Sequence, residues 1–198
     1  MSDYNPIFGS PITSISSPTS PTSKLTLTDL SGVPVILIQG DAADTLKQHF
    51  AQVPTKPGDL VEGSDSLLAR LTPTEFYWFG LSPSAKLPSA AALDDNFAGT
   101  QRFAHATDYT HGRAVVRLTG TEAGEVLSKI CGLDFHDTVF PNLWAAQTSA
   151  AKIKALIVRC DENDIPTYFL HVNRTLGQYF WETVWDAGQE FEITTTEG

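Results

Sequence analysis

Five histidines, His49, His105, His111, His136 and His171, are the residues of this chain best suited to proton transfer or metal ligation. No two stand four apart on a helical stretch and none has an acidic partner at ligand spacing, so their pattern supports no metal site. Asp108 and His111 could form a general base pair. On an extended strand, three residues of separation turn the two side chains to opposite faces, and a hydrogen-bonded turn at a strand entry is the commoner use of such residues. Cys131 and Cys160, the only cysteines, lack CxxC or Cys/His spacing and read as reduced thiols. Cys131 closes an apolar helical stripe and reads as a small buried hydrophobe. There is no GxSxG elbow, P-loop or GxGxxG. The sequence therefore nominates no catalytic, cofactor-binding or metal residue.

The elements that would position such residues come in two copies. PVILIQGDAADTLKQHF is echoed by the segment containing RAVVRLTGTEAGEVLSKI, with Gly40 and Gly120, Val35 and Val115, and Ala43 and Ala123 each 80 positions apart. Each copy runs an apolar strand into a glycine and then an amphipathic helix. The strand over 33–39 lacks clean alternation, as expected of one buried on both faces or by a partner. Asp41 is expected to cap a helix to about residue 51, and 54–65 reads as loop. Strands follow over 66–71 and 75–81, then a short helix marked by Ala90, Leu93 and Phe97 that Gly99 can end. In the second copy 111–118 reads as a strand, Gly120 and Thr121 as turn and cap, and Ala123, Val126, Leu127 and Ile130 as a helical stripe. Strands over 147–159 and 167–172 and a helix capped by Thr175 complete it. The pattern predicts an α+β domain over 24–198 of two pseudosymmetric β-α-β-β-α units, 24–100 and 101–198, with helices covering an antiparallel or mixed sheet.

Composition is that of a globular chain, with 41% hydrophobic and 18% charged residues over 198 positions. The formal net charge of -10 disfavours nucleic acid and anionic membrane surfaces as partners. Lys152 and Lys154 are the closest basic cluster. No signal-peptide pattern or stretch of transmembrane length is read, which with the reduced thiols implies a cytoplasmic protein. Residues 1–23 are Ser-, Thr- and Pro-rich beyond Tyr4, Ile7, Phe8, Ile12 and Ile15, and read as a mobile arm whose apolar residues could anchor it on a partner.

The last helix points most directly to a partner. Leu176, Tyr179, Phe180 and Thr183 define one face, expected to lie inward, while Trp181 and Trp185 fall a turn apart on nearly the opposite one. Outward tryptophans mark candidate interfaces, unless an arm or loop covers them. The candidate partner interface is Trp181, Trp185 and Trp144, with Tyr4 and Phe8 of the arm.

The motif DYTHGRAVVRLTGTEA, continued by GLDFHDTVFP, AAQTSAAKIKALI and RTLGQYFWETVW, resembles the gamma subunit of heterotetrameric sarcosine oxidase, a small relative of the folate-binding aminomethyltransferases. The resemblance covers 105–187 well, 33–100 weakly and the first 24 residues not at all. It implies the fold of the first aminomethyltransferase domain and a non-catalytic structural subunit packed chiefly against the large subunit. The assembled oxidase would demethylate sarcosine to glycine with FAD, FMN, NAD and tetrahydrofolate held by the other subunits. No counterpart of the family's catalytic aspartate or folate contacts is found. The alternative is a stand-alone folate-binding or one-carbon-transfer protein of the same superfamily.

Overall fold

The computed structural model describes residues 9–13, 25–100 and 103–197. Its first half comprises strands β1 (Leu25–Asp29) and β2 (Val35–Gly40), helix α1 (Ala43–Leu46), strands β3 (Leu60–Glu62), β4 (Ser66–Thr72) and β5 (Glu75–Gly80), and helix α2 (Ala90–Ala98). The second half repeats that order with β6 (Ala104–Asp108), β7 (Arg113–Gly120), α3 (Ala123–Ile130), β8 (Trp144–Ala150), β9 (Ile153–Arg159), β10 (Thr167–Asn173) and α4 (Gly177–Gly188), and β11 (Thr194–Glu197) follows.

The strands form two sheets, ordered β11-β1-β7-β10-β9-β8 and β3-β4-β5-β2-β6. Matched by position in the repeat, β3-β4-β5-β2 and β8-β9-β10-β7 are the same arrangement. The leading strand of each half is exchanged: β1 pairs antiparallel with β7, and β6 antiparallel with β2. Neither half can close its sheet without the other, so the repeat is interlocked. The glycine expected at the end of the repeated strand is explained by its backbone. Gly40 has φ +102° and Gly120 φ +150°, both left-handed, and a Cβ at Gly40 would run into the Phe103 carbonyl.

Alternation along the strands builds three apolar layers. Val35, Tyr77, Phe79, Val115, Leu156, Val158 and Phe169 meet between the sheets. Ile36, Ile38, Phe76 and Trp78 face outward onto Leu46, Leu93 and Phe97 of α1 and α2. Val116, Leu118, Ile157 and Leu170 face outward onto Val126, Leu127, Phe180 and Val184 of α3 and α4. The architecture is thus helix, sheet, sheet, helix, and β2 is buried on both faces as its unbroken apolar run implied.

Several local expectations are corrected. Three strands are expected in each unit, but 24–100 holds five and 101–198 six: β1, β6 and β11 lie where no strand is expected, β3 lies within the expected 54–65 loop, and 147–159 is two strands. Ala151 (φ 49°) and Lys152 (φ 63°) turn β8 into β9 without the Gly or Asn that such a turn normally displays. α1 is one turn long with no side-chain cap, because its buried contacts are confined to Thr45 and Leu46. Neither Thr121 nor Thr175 caps a helix. Glu122 precedes α3 without a capping bond, and the Asn173 carboxamide accepts from Thr175 N at the 3₁₀ turn leading into α4. At α2 the expected boundaries hold: Ser89 Oγ accepts from Ala92 N, and Gly99 ends the helix.

Candidate functional site

The tryptophans occupy places other than those read from helical spacing. Trp181 is 1% exposed and lies in the core against sheet β11-β1-β7-β10-β9-β8, so its expected outward position is corrected. Trp185 is half-buried against the same core, whereas Tyr179 and Leu176, expected inward, are 47% and 37% exposed. Helix α4 buries Gly177, Phe180, Trp181, Val184 and Gly188. Trp144 is half-buried, its indole lying on Gly58 where a Cβ would collide with the ring. Ala145 N donates to Gly58 O at 2.8 Å, so this segment of β8 ties one sheet edge to the other. Tyr4 and Phe8 lie outside the described residues.

Part of the expected mobile arm is docked. Ile12 is 5% exposed in the α4-side core, Thr13 N donates to Gln178 Oε1 at 2.7 Å, and Arg174 donates to Gly9 O. One buried apolar residue with these two polar ties holds residues 9–13 against the start of α4. Ile12→Ser is expected to cost about 1–3 kcal/mol, since it exposes a core gap and buries an unpaired hydroxyl. Urea unfolding of the full chain checks it; an unchanged midpoint would show that the strap adds nothing.

Asp108 and His111 form no base pair: Asp108 Oδ1 accepts from Thr110 N at 2.9 Å, a strand-entry turn as expected, and His111 sits exposed in the 3₁₀ turn that follows. His49 leans on Trp78 with ring centroids 5.3 Å apart, His105 Nδ1 lies 2.9 Å from Asp94 Oδ2, and His136 Nδ1 lies 2.9 Å from Thr138 Oγ1. Among the described residues no cluster of three or more His, Cys, Asp or Glu could hold a metal. Both cysteines are buried free thiols, and burial with the Glu62 carboxylate pushes the Cys160 thiol up to about 12.

The structure instead brings together a polar row that the sequence did not single out. Strand register aligns Val115, His171, Leu156 and Gln147 across β7, β10, β9 and β8, and two residues along each strand come Arg113, Asn173, Lys154 and Ser149 on the same face. The first row runs under the opposing sheet. His171 is fully buried there, its Nδ1 3.2 Å from the Tyr77 hydroxyl and its ring 4.5 Å from that of Phe79. Burial, with the Arg113 charge nearby, holds its pKa down to about 3, and burial raises that of Tyr77 above the ordinary phenol range. At neutral pH both groups are uncharged, which suits them to a sandwich interior and not to exchange of protons with a substrate.

The second row emerges from under that sheet. Arg113, Gln147, Thr148, Ser149, Lys154 and Leu156 line a hollow of about 520 Å³, and Arg113 and Lys154 are shared with a second of about 380 Å³ that Ile153 and Leu176 also line. Arg113 rests its guanidinium 5.2 Å from the Tyr109 ring centroid, and its Nε is buried without a hydrogen-bond partner. A comparable hollow of about 560 Å³ on the outer side of the other sheet has an aromatic floor of Phe50 and Trp78, but its Asp65 and Lys86 are of opposite sign and Asp65 already accepts from Ser82 at 2.9 Å. The Arg113 trough, with two cations, is the stronger candidate for recognition of an anion. Its residues lie up to 63 positions apart, from Arg113 to Leu176, so no local motif announces it.

Comparison with known proteins assigns the fold. The GCVT N-terminal domain family matches residues 22–196, nearly the whole chain. This chain belongs to that family. No curated protein matches it. Among solved structures, this GCVT-type chain is similar to a chain of the heterotetrameric sarcosine oxidase from Corynebacterium sp. U-96 in complex with pyrrole 2-carboxylate, at 23% identity and TM-score 0.71, with 85% of each chain covered. It is also similar to glycine cleavage system aminomethyltransferase T from Bartonella henselae, at 14% identity and TM-score 0.64; 88% of this chain is covered but only 48% of that one, about half the aminomethyltransferase's length. The sequence resemblance to an aminomethyltransferase-type fold is therefore correct, and the likeness extends into the half of the chain where the motifs were weakest. Among the described residues no helix is long and apolar enough to cross a membrane.

Proposed function

We propose that this chain is a non-catalytic, gamma-type structural subunit of a flavin-dependent oxidase of the heterotetrameric sarcosine oxidase type, which demethylates sarcosine to glycine. The observation that carries this reading is reciprocal coverage. The chain and the oxidase chain each cover 85% of the other, whereas the aminomethyltransferase extends well beyond the match. The uncharged, sequestered state of the inter-sheet pair Tyr77 and His171 supports it too, since the best-placed titratable residues serve packing. Under this reading the chain holds no cofactor of its own; FAD, FMN, NAD and tetrahydrofolate belong to the other subunits, and the chain packs chiefly against the large one in a cytoplasmic complex.

Isolation of the chain from its native cells tests the proposal. Co-elution with flavin-bearing subunits and sarcosine-dependent oxygen uptake is the expected result, with no flavin absorption from the chain purified alone. A chain that elutes without partners and binds tetrahydrofolate at one equivalent would overturn it in favour of a stand-alone folate-binding or one-carbon-transfer protein.

A further inference from the structure

We infer that the trough centred on Arg113 and Lys154 is the docking site for an extended acidic segment of a partner subunit. This rests on the reading of the chain as a subunit, and it names the surface and the chemistry by which the partner is held.

Three observations carry it. The trough's two charged lining residues are both cations, on a chain whose formal net charge is -10, so this is a local reversal of the field that the rest of the surface presents. Arg113, its guanidinium stacked on Tyr109, lines both hollows, so a carboxylate entering the trough meets a charged fork of the kind that guanidinium groups offer to carboxylates. The two hollows share Arg113 and Lys154 and so form one path, bordered by Ile153, Leu156 and Leu176, that is longer than a single side chain needs. Cations along the floor with apolar residues at the border match a segment in which carboxylates alternate with apolar side chains. Strand alternation in the occupant would aim the carboxylates inward.

The test uses the full chain and a fluorescein-labelled Glu-Leu-Glu-Leu-Glu peptide, followed by anisotropy, with a Lys-Leu-Lys-Leu-Lys peptide as control. Lys154 is exposed on β9, so Lys154→Glu should fold normally, and Arg113→Gln provides a second variant whose folding is verified by its melting curve. The expected result is binding of the acidic peptide alone, weakened about tenfold or more by either substitution and by added salt. Equal binding to the wild-type chain and Lys154→Glu would overturn the inference. So would free glutarate binding as tightly as the peptide, which would make the trough a small-molecule carboxylate site. A parallel arm follows Lys154→Glu in the co-expressed oxidase. An assembly that forms as well with the variant removes the docking site and leaves the subunit reading standing; peptide binding through Arg113 and Lys154 by a chain that joins no assembly does the reverse.

Discussion

Replacing Trp181 with alanine is expected to lower folding stability by about 3–5 kcal/mol, the range for a large aromatic removed from a close-packed core. The side chain is 1% exposed and is among the largest fully buried in the molecule, packed with Phe180 and Val184 of α4 in the layer completed by Val126 and Leu127 of α3. A gap of that size cannot close without moving α4 against the sheet. Equilibrium urea unfolding would show the loss as a lower midpoint. Asp186→Ala, on an exposed position of the same helix, should stay within about 0.5 kcal/mol of the parent chain. Had the tryptophan been an outward interface residue, the variant would fold normally and fail only in assembly. A wild-type midpoint for Trp181→Ala would restore that view.

Acid should destabilise the chain through His171. The folded protein keeps this imidazole neutral down to about pH 3, whereas the unfolded chain takes up the proton near its ordinary pKa of 6.5. Between those values the unfolded state binds more protons, so stability rises with pH across the window and falls on acidification. The contribution is fully present above pH 6.5. At pH 5 about 2 kcal/mol of it is lost, and at pH 4 about 3 kcal/mol, at 1.36 kcal/mol per pH unit of displacement. Urea unfolding at pH 7, 5 and 4 measures the slope. His171→Phe removes the titrating group but keeps an aromatic body against Phe79, so the variant should be weaker at pH 7, where the Tyr77 hydroxyl loses its partner, and less sensitive to acid. An identical pH dependence in the two proteins would place the acid sensitivity elsewhere.

The proposed docking trough gives both results a functional frame. Trp181 holds α4, whose lead-in turn carries Leu176 to the trough's border, and His171 lies one inward-facing position from Asn173 on β10. Loss of either core residue would disturb a surface that neither touches. For that reason the charge variants at the trough, which leave the core intact, are the ones that separate recognition from folding.

The sequence by itself determined the repeat, because the period of apolar residues and the Gly40 and Gly120 turns are local properties. It also determined the stripe of α3 and the bounds of α2, where capping and spacing agree. Several strands escaped it, among them β1, β6 and β11, which are four or five residues long and lie outside the repeated strand-glycine-helix pattern. β3 is three residues long, too short for any period, and the β8–β9 turn is made by Ala151 and Lys152, which carry no turn signature. The phase of α4 could not be read from spacing because apolar residues surround most of the helix. The close approach of its glycines decided it: a Cβ on Gly177 would stand 2.8 Å from Ala114 Cβ, and one on Gly188 2.6 Å from Ile193 Cδ1, so only that face admits contact. The exchange of β1 and β6 between sheets, the meeting of Tyr77 with His171 and the alignment of Arg113 with Lys154 were likewise settled by tertiary structure alone. Each joins residues that are remote along the chain. Which strand neighbours which is set by the total burial of both halves, and no single segment encodes it.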